Sequence, residues 1–121
     1  MQGDYAFYLS KKILEPCLKA TREYQMLQGM LGQPEEDEQT GLGQRLRNAE
    51  KQLQTCREPV YALLRGSDLP AMEYRVVVER YLHGKKWDEI IGELDRTRRH
   101  VLRVHSSALH RMAQKLAPKS A

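Results

Sequence analysis

Residues 98–112, RRHVLRVHSSALHRM, carry two patterns in one register. Val101, Val104, Ala108, Leu109 and Met112 recur at helical spacing and define one apolar stripe, while Arg98, Arg99, Arg103 and Ser106 fall off it. Guanidinium presents a planar fork of donors that matches the O6 and N7 edge of guanine, or a phosphate, bidentately. A helix that buries one stripe and projects arginines from its first turns has the dimensions and chemistry to enter a DNA major groove. Thr97, just ahead, is a good N-cap for such a helix.

Other chemistries find little support. His100, His105 and His110 are spaced by five, so they turn away from one another around the helix and do not make a metal site. His105 reads instead as a partly buried polar neighbour of the stripe. There is no glycine-rich phosphate loop, nucleophile elbow or paired-carboxylate site, and Asp88 and Glu89 suit the first turn of a helix on dipole grounds. We therefore expect no enzyme, no catalytic residues, no cofactor and no metal.

Charge is distributed unevenly along the 121 residues. In residues 1–68 nine lysines and arginines face ten acids, whereas in residues 69–121 eleven face six. From Arg96 onward there are seven cations and no acid. This polarity implies an anionic partner for the C-terminal half, nucleic acid before membrane. No run approaches the roughly 20 apolar residues of a bilayer span, and the N-terminus lacks a signal pattern. Two cysteines make no disulfide framework, so the expected setting is the cytoplasm.

The reading helix needs supports, and the preceding sequence supplies them. Pro70 suits the start of a helix continuing to Tyr81 or Leu82, with Met72, Val76, Val77 and Tyr81 apolar. HGKK stops it, with Gly84 at the C-cap. WDEIIGEL is a short helix whose inner face is Ile90, Ile91 and Leu94, with Trp87 closing its start. Asp95, Arg96 and Thr97 turn the chain into the last helix. A short helix, a tight turn and an arginine-rich helix form the helix-turn-helix arrangement.

Over about residues 69–113 the pattern LP, RVVVERYLHGKKWDEIIGEL, a threonine cap and a closing AL resembles region 4 of the sigma-70 family, the part that reads the upstream core promoter element. With the helical segments ahead of it, the chain is similar to small sigma-like regulators of phages and prophages, of the RinA/ArpU type. Asp95 stands where glycine is commonest, Ile91 where alanine is usual, and Lys86 where Ser or Thr caps the helix. Asp tolerates the left-handed conformation that such a turn needs. Nothing resembles the strand-melting region 2. The resemblance places Arg98, Arg99, Arg103 and Leu102 at groove-facing positions, Leu102 toward a thymine methyl, with Thr97 and His100 toward backbone phosphate. Ser106, Lys85 and Lys86 complete the expected DNA-binding set.

Two further blocks precede this one. Ala6, Ser10, Ile13, Cys17, Ala20, Tyr24, Leu27 and Leu31 alternate spacings of four and three, as do Leu42, Leu46, Ala49, Leu53, Cys56, Val60 and Leu63. Such stripes want a partner helix. The segment between them, GQPEEDEQTGLG, reads as a mobile acidic loop, so the expected form is an antiparallel hairpin. Cys17 pairs in height with Cys56 and Pro16 with Pro59. The cysteines read as small core residues, with a regulatory disulfide as the alternative, and each proline predicts a kink or break.

The expectation is thus an all-α chain: a coiled-coil-like helical hairpin over 1–66 with an acidic flexible loop near 32–43, a sigma-region-4-like helix-turn-helix over 67–115, and a frayed tail over 116–121. The function expected is a sequence-specific DNA-binding transcriptional regulator of phage or prophage genes, cytoplasmic and nucleoid-associated in a bacterial host. Its partners would be duplex DNA, a second copy through the hairpin and, by the resemblance, RNA polymerase. Two rivals fit the same elements: a small-terminase-like DNA-packaging assembly protein, and a sigma-like protein-interaction module that binds no DNA.

Overall fold

The computed structural model describes residues 2–32 and 34–116, and the regular elements among them are all helical. Helix α1 (2–29) is one rod in which Gln2–Tyr8 passes through a widened π segment, Leu9–Leu14, into Glu15–Gly29. The Glu15 N–H donates to the Ser10 carbonyl, one residue further back than in an α-helix. That loosened turn lies just ahead of Pro16, which has no N–H and whose ring would crowd a regular ladder. Helix α3 (Leu42–Ser67) likewise runs through Pro59 without ending. Neither proline breaks its helix.

The acidic segment departs from expectation. It holds a short helix, α2 (Pro34–Gln39), where a flexible loop was expected over 32–43. Proline is at home in the first position, and acids in the first turn complement the dipole, so the composition that reads as a solvated loop also starts a helix. Gly41, at φ 71°, turns the chain into α3, and its carbonyl accepts from the Arg45 N–H at 3.0 Å.

Helices α1 and α3 lie side by side with opposite chain direction. Ala20 and Glu23 border the same surface recess as Gln52, and Met30 borders another with Leu42 and Arg45. Cys17, Ala20 and Leu27 are buried on one helix, and Leu42, Leu53, Val60 and Leu63 on the other. The stripes are thus spent largely inside the chain. The large apolar side chains still exposed on α1 are Phe7, Tyr8 and Met26, followed by Met30 and Leu31 just past its end.

The remaining helices are α4 (71–82, Ala71–Val77 continuing into the π segment Val78–Leu82), α5 (Trp87–Leu94) and α6 (Arg98–Ala113). One apolar cluster joins Leu9, Leu14, Cys17 and Leu18 of α1 to Val60, Leu63 and Leu64 of α3, Val77, Tyr81 and Leu82 of α4, and Ala108, Leu109 and Met112 of α6. The boundary near residue 67 therefore separates sequence blocks, while the side chains of both blocks meet in one core. Leu116, assigned to a frayed tail, packs against this cluster because it extends the Leu109–Met112 stripe by one turn. A second cluster, Val76, Ile90, Leu94 and Val101, ties α4, α5 and α6 together. Burying each such side chain is worth about 1.5–3 kcal/mol.

Candidate nucleic-acid interface

Helix α5 starts at Lys86, whose extended backbone makes it the N-cap. An ammonium cannot accept a hydrogen bond, so Lys86 cannot do what serine does there. Glu89 compensates from the other side, its carboxylate accepting from the Lys86 N–H at 3.0 Å. At the far end Asp95 adopts the left-handed conformation (φ 53°, ψ 47°), as the turn requires. Thr97 then caps α6, its hydroxyl oxygen accepting from the His100 N–H at 3.1 Å.

The angle between α5 and α6 is set by an aromatic wedge. His105 is partly buried, stacks on Tyr81 and meets Trp87 edge to face with centroids 4.7 Å apart. Its Nε2 is 2.6 Å from the Tyr81 hydroxyl. Burial, and then the nearby Arg80 cation, push the imidazole down to about 4, so it is neutral at pH 7. Burial pushes the Tyr81 phenol up to about 12. On the other face of the wedge the Arg80 guanidinium lies 4.6 Å from the Trp87 ring centre, a cation–π contact. His105 is thus the partly buried neighbour of the stripe that its spacing implied.

With Val101, Ala108, Leu109 and Met112 turned inward, the first turns of α6 present Arg98, Arg99, His100, Leu102, Arg103 and Ser106 outward. These exposed cations are not equivalent. Arg98 is ion-paired across the turn with Asp88 of α5. Arg111 pairs with the buried Glu73 at 3.1 Å. Lys85 is held by Glu79 and, at 2.7 Å, by Glu93. The hydrogen bonds Lys85 donates to those two carboxylates raise its pKa, and Lys85 in turn holds Glu79 below the usual carboxylate range. Lys85, expected among the DNA-binding residues, therefore stands neutralised by two acids. Arg99, Arg103, Lys86 and Lys115 have no carboxylate partner among the described residues, whereas Lys119 lies outside them.

Sequence reasoning missed a set of contacts just ahead of α5. Each carbonyl from Tyr81 to Lys85 accepts from a side chain. Tyr81 takes the Cys17 thiol and the Thr21 hydroxyl, both at 3.3 Å, and Leu82 takes Arg57 at 3.4 Å. His83 takes Gln25 at 2.8 Å, Gly84 takes Arg22 at 3.3 Å and Lys85 takes Arg80 at 3.0 Å. A helix C-terminus leaves carbonyls unsatisfied and favours cations, and side chains of α1 and α3 meet both needs. Gly84 suits the spot doubly, with φ +74° and with space for a Cβ limited by Gln25 Oε1 at 3.0 Å and Thr21 Cγ2 at 3.1 Å.

No protein-family model, curated protein or solved structure matches the chain. Among the described residues there is no group of three metal-ligating side chains, and no helix is long and apolar enough to cross a membrane.

Proposed function

We propose that the chain is a sequence-specific DNA-binding transcriptional regulator, with α4, α5 and α6 as a helix-turn-helix and α6 as the helix that enters the major groove. One observation carries this reading. Arg99 and Arg103 are exposed, unpaired and separated by four residues on a helix whose opposite face is fixed in the core and whose start is capped. Leu102 between them is an exposed apolar side chain of the kind that meets a thymine methyl. Exposed cations without a carboxylate partner at Lys86, Arg96 and Lys115 supply backbone attraction around it.

The resemblance to sigma-70 region 4 adds the expectation of phage or prophage promoters and of RNA polymerase as a partner. A second copy would set two reading helices on half-sites about one helical turn apart, or a multiple of it. That pairing would go through the N-terminal helices, where Phe7, Tyr8, Met26, Met30 and Leu31 remain exposed. The deciding experiment is titration of duplex DNA across a salt series. Five phosphate contacts give a log–log slope of about −4 to −5. A slope near zero, or no binding at low salt, overturns the reading in favour of a protein-interaction module.

A further inference from the structure

We infer that Arg22 of the hairpin, with Arg80 and Lys86, forms a site for a backbone phosphate of the same duplex, just outside the segment under α6; this inference rests on the DNA-binding reading above. The three cations come from α1, α4 and the start of α5 and meet at one short loop. Arg22 Nε is 3.3 Å from the Gly84 carbonyl, Arg80 Nη1 is 3.0 Å from the Lys85 carbonyl, and Lys86 is the next residue. Arg22 and Lys86 are exposed.

None of the three is paired with a carboxylate among the described residues. The acids nearby are already engaged: Glu79 and Glu93 by Lys85, Asp88 by Arg98, and Glu89 by the Lys86 backbone N–H. Each guanidinium spends one N–H group on a carbonyl and, apart from the buried Arg80 Nε, keeps the others for an anion. The Arg80 proton is held less firmly than usual, first because of burial and then because Arg22 repels it. Like charges from separate helices are thus held together without a counter-ion of their own. The planar fork of Arg fits phosphate. Helix α1 would then be part of the DNA footprint, and not only a brace for α4.

The test uses the full chain and labelled duplex of specific and scrambled sequence, titrated over a salt series, with a thermal melt of each variant. Arg22→Gln keeps an amide donor for Gly84 but removes the charge, and Arg22→Lys keeps a charge. Arg45→Gln, at the distant end of the hairpin beside Met30, is the control. Arg22→Gln should reduce the salt slope by about 0.9, the value for one phosphate, with equal affinity loss on both duplexes. Arg22→Lys should restore most of that slope, and Arg45→Gln should leave it unchanged. If Arg22→Gln also lowers the melting temperature, the lysine variant decides. An unchanged slope in Arg22→Gln, or equal loss in the glutamine and lysine variants, overturns the site while leaving the DNA-binding reading standing. Absence of duplex binding by the wild type overturns both.

Discussion

Replacing Arg103 or Arg99 with alanine separates reading from attraction, and the structure sets its size. Both side chains are exposed and unpaired, so their loss should change folding stability by no more than about 0.5 kcal/mol. If either pairs with a guanine edge, its removal costs about 1–3 kcal/mol of discrimination, which is about fivefold to 150-fold on the specific site. On scrambled duplex only the phosphate attraction of one charge is lost. Arg111 provides the contrast. Its partner Glu73 is buried, and Glu73 Oε1 has no hydrogen-bond partner beyond that ion pair. Arg111→Ala should therefore destabilise the fold by about 1–3 kcal/mol, the cost of stranding a buried acceptor, with little change in sequence preference. Fluorescence anisotropy on both duplexes at one salt concentration, beside urea unfolding, gives two affinities and one stability for each variant. Equal loss on the two duplexes for Arg99 and Arg103 would refute a reading role for α6.

Gly84→Ala should lower stability by about 1–2 kcal/mol in urea unfolding, since a Cβ there meets both a positive φ and the Gln25 and Thr21 side chains. The partly buried His105 predicts an acid-side loss of stability. Its folded pKa, about 4, lies below the ordinary 6.5, so the unfolded chain takes up the proton first as pH falls from about 6.5 toward 4. Stability should decline through that window by up to about 3 kcal/mol, and His105→Leu should flatten the decline; an unchanged pH profile in that variant would count against a neutral buried imidazole. Carboxylates such as Glu79 contribute their own loss only at lower pH, because their folded pKa lies below the usual value. In alkylation at pH 8, Cys17 should react far more slowly than Cys56, being buried with its thiol pushed up to about 11, and mass spectrometry of the quenched protein would report the ratio.

What sequence could convey here was local. The Thr97 cap, the left-handed Asp95 and the end of α4 at His83 and Gly84 all depend on residues within one or two turns, and all are present as the residue types imply. The His105 environment was legible because it follows from its place beside an apolar stripe. Pairing was not legible. That Lys85 is neutralised by Glu79 and Glu93, or Arg111 by Glu73, depends on how helices cross, and no spacing rule reports that. The acidic segment misled for a different reason, since Pro34 and the acids after it satisfy both a loop composition and a helix start. The contacts from Cys17, Thr21, Arg22 and Gln25 to the carbonyls of Tyr81, His83 and Gly84 join residues about sixty apart and left no trace in either segment.

Those contacts bear on how the C-terminal block can be handled as a part. A helix-turn-helix that carries its own core can be grafted, truncated or fused with little regard for what precedes it. Here the last turn of α4 leans on four side chains of α1, and Val77, Tyr81, Leu82, Leu109 and Met112 complete a cluster begun by Leu9 and Leu14. Cutting the chain near residue 67 would uncover that apolar surface and release the carbonyls at once. A fragment beginning there should behave as a loosened, aggregation-prone helix set, so mapping experiments are better done by single substitution in the intact chain than by deletion. It also means that sequence drift in α1, far from α6 along the chain, can alter the bearing of α6 without touching an arginine.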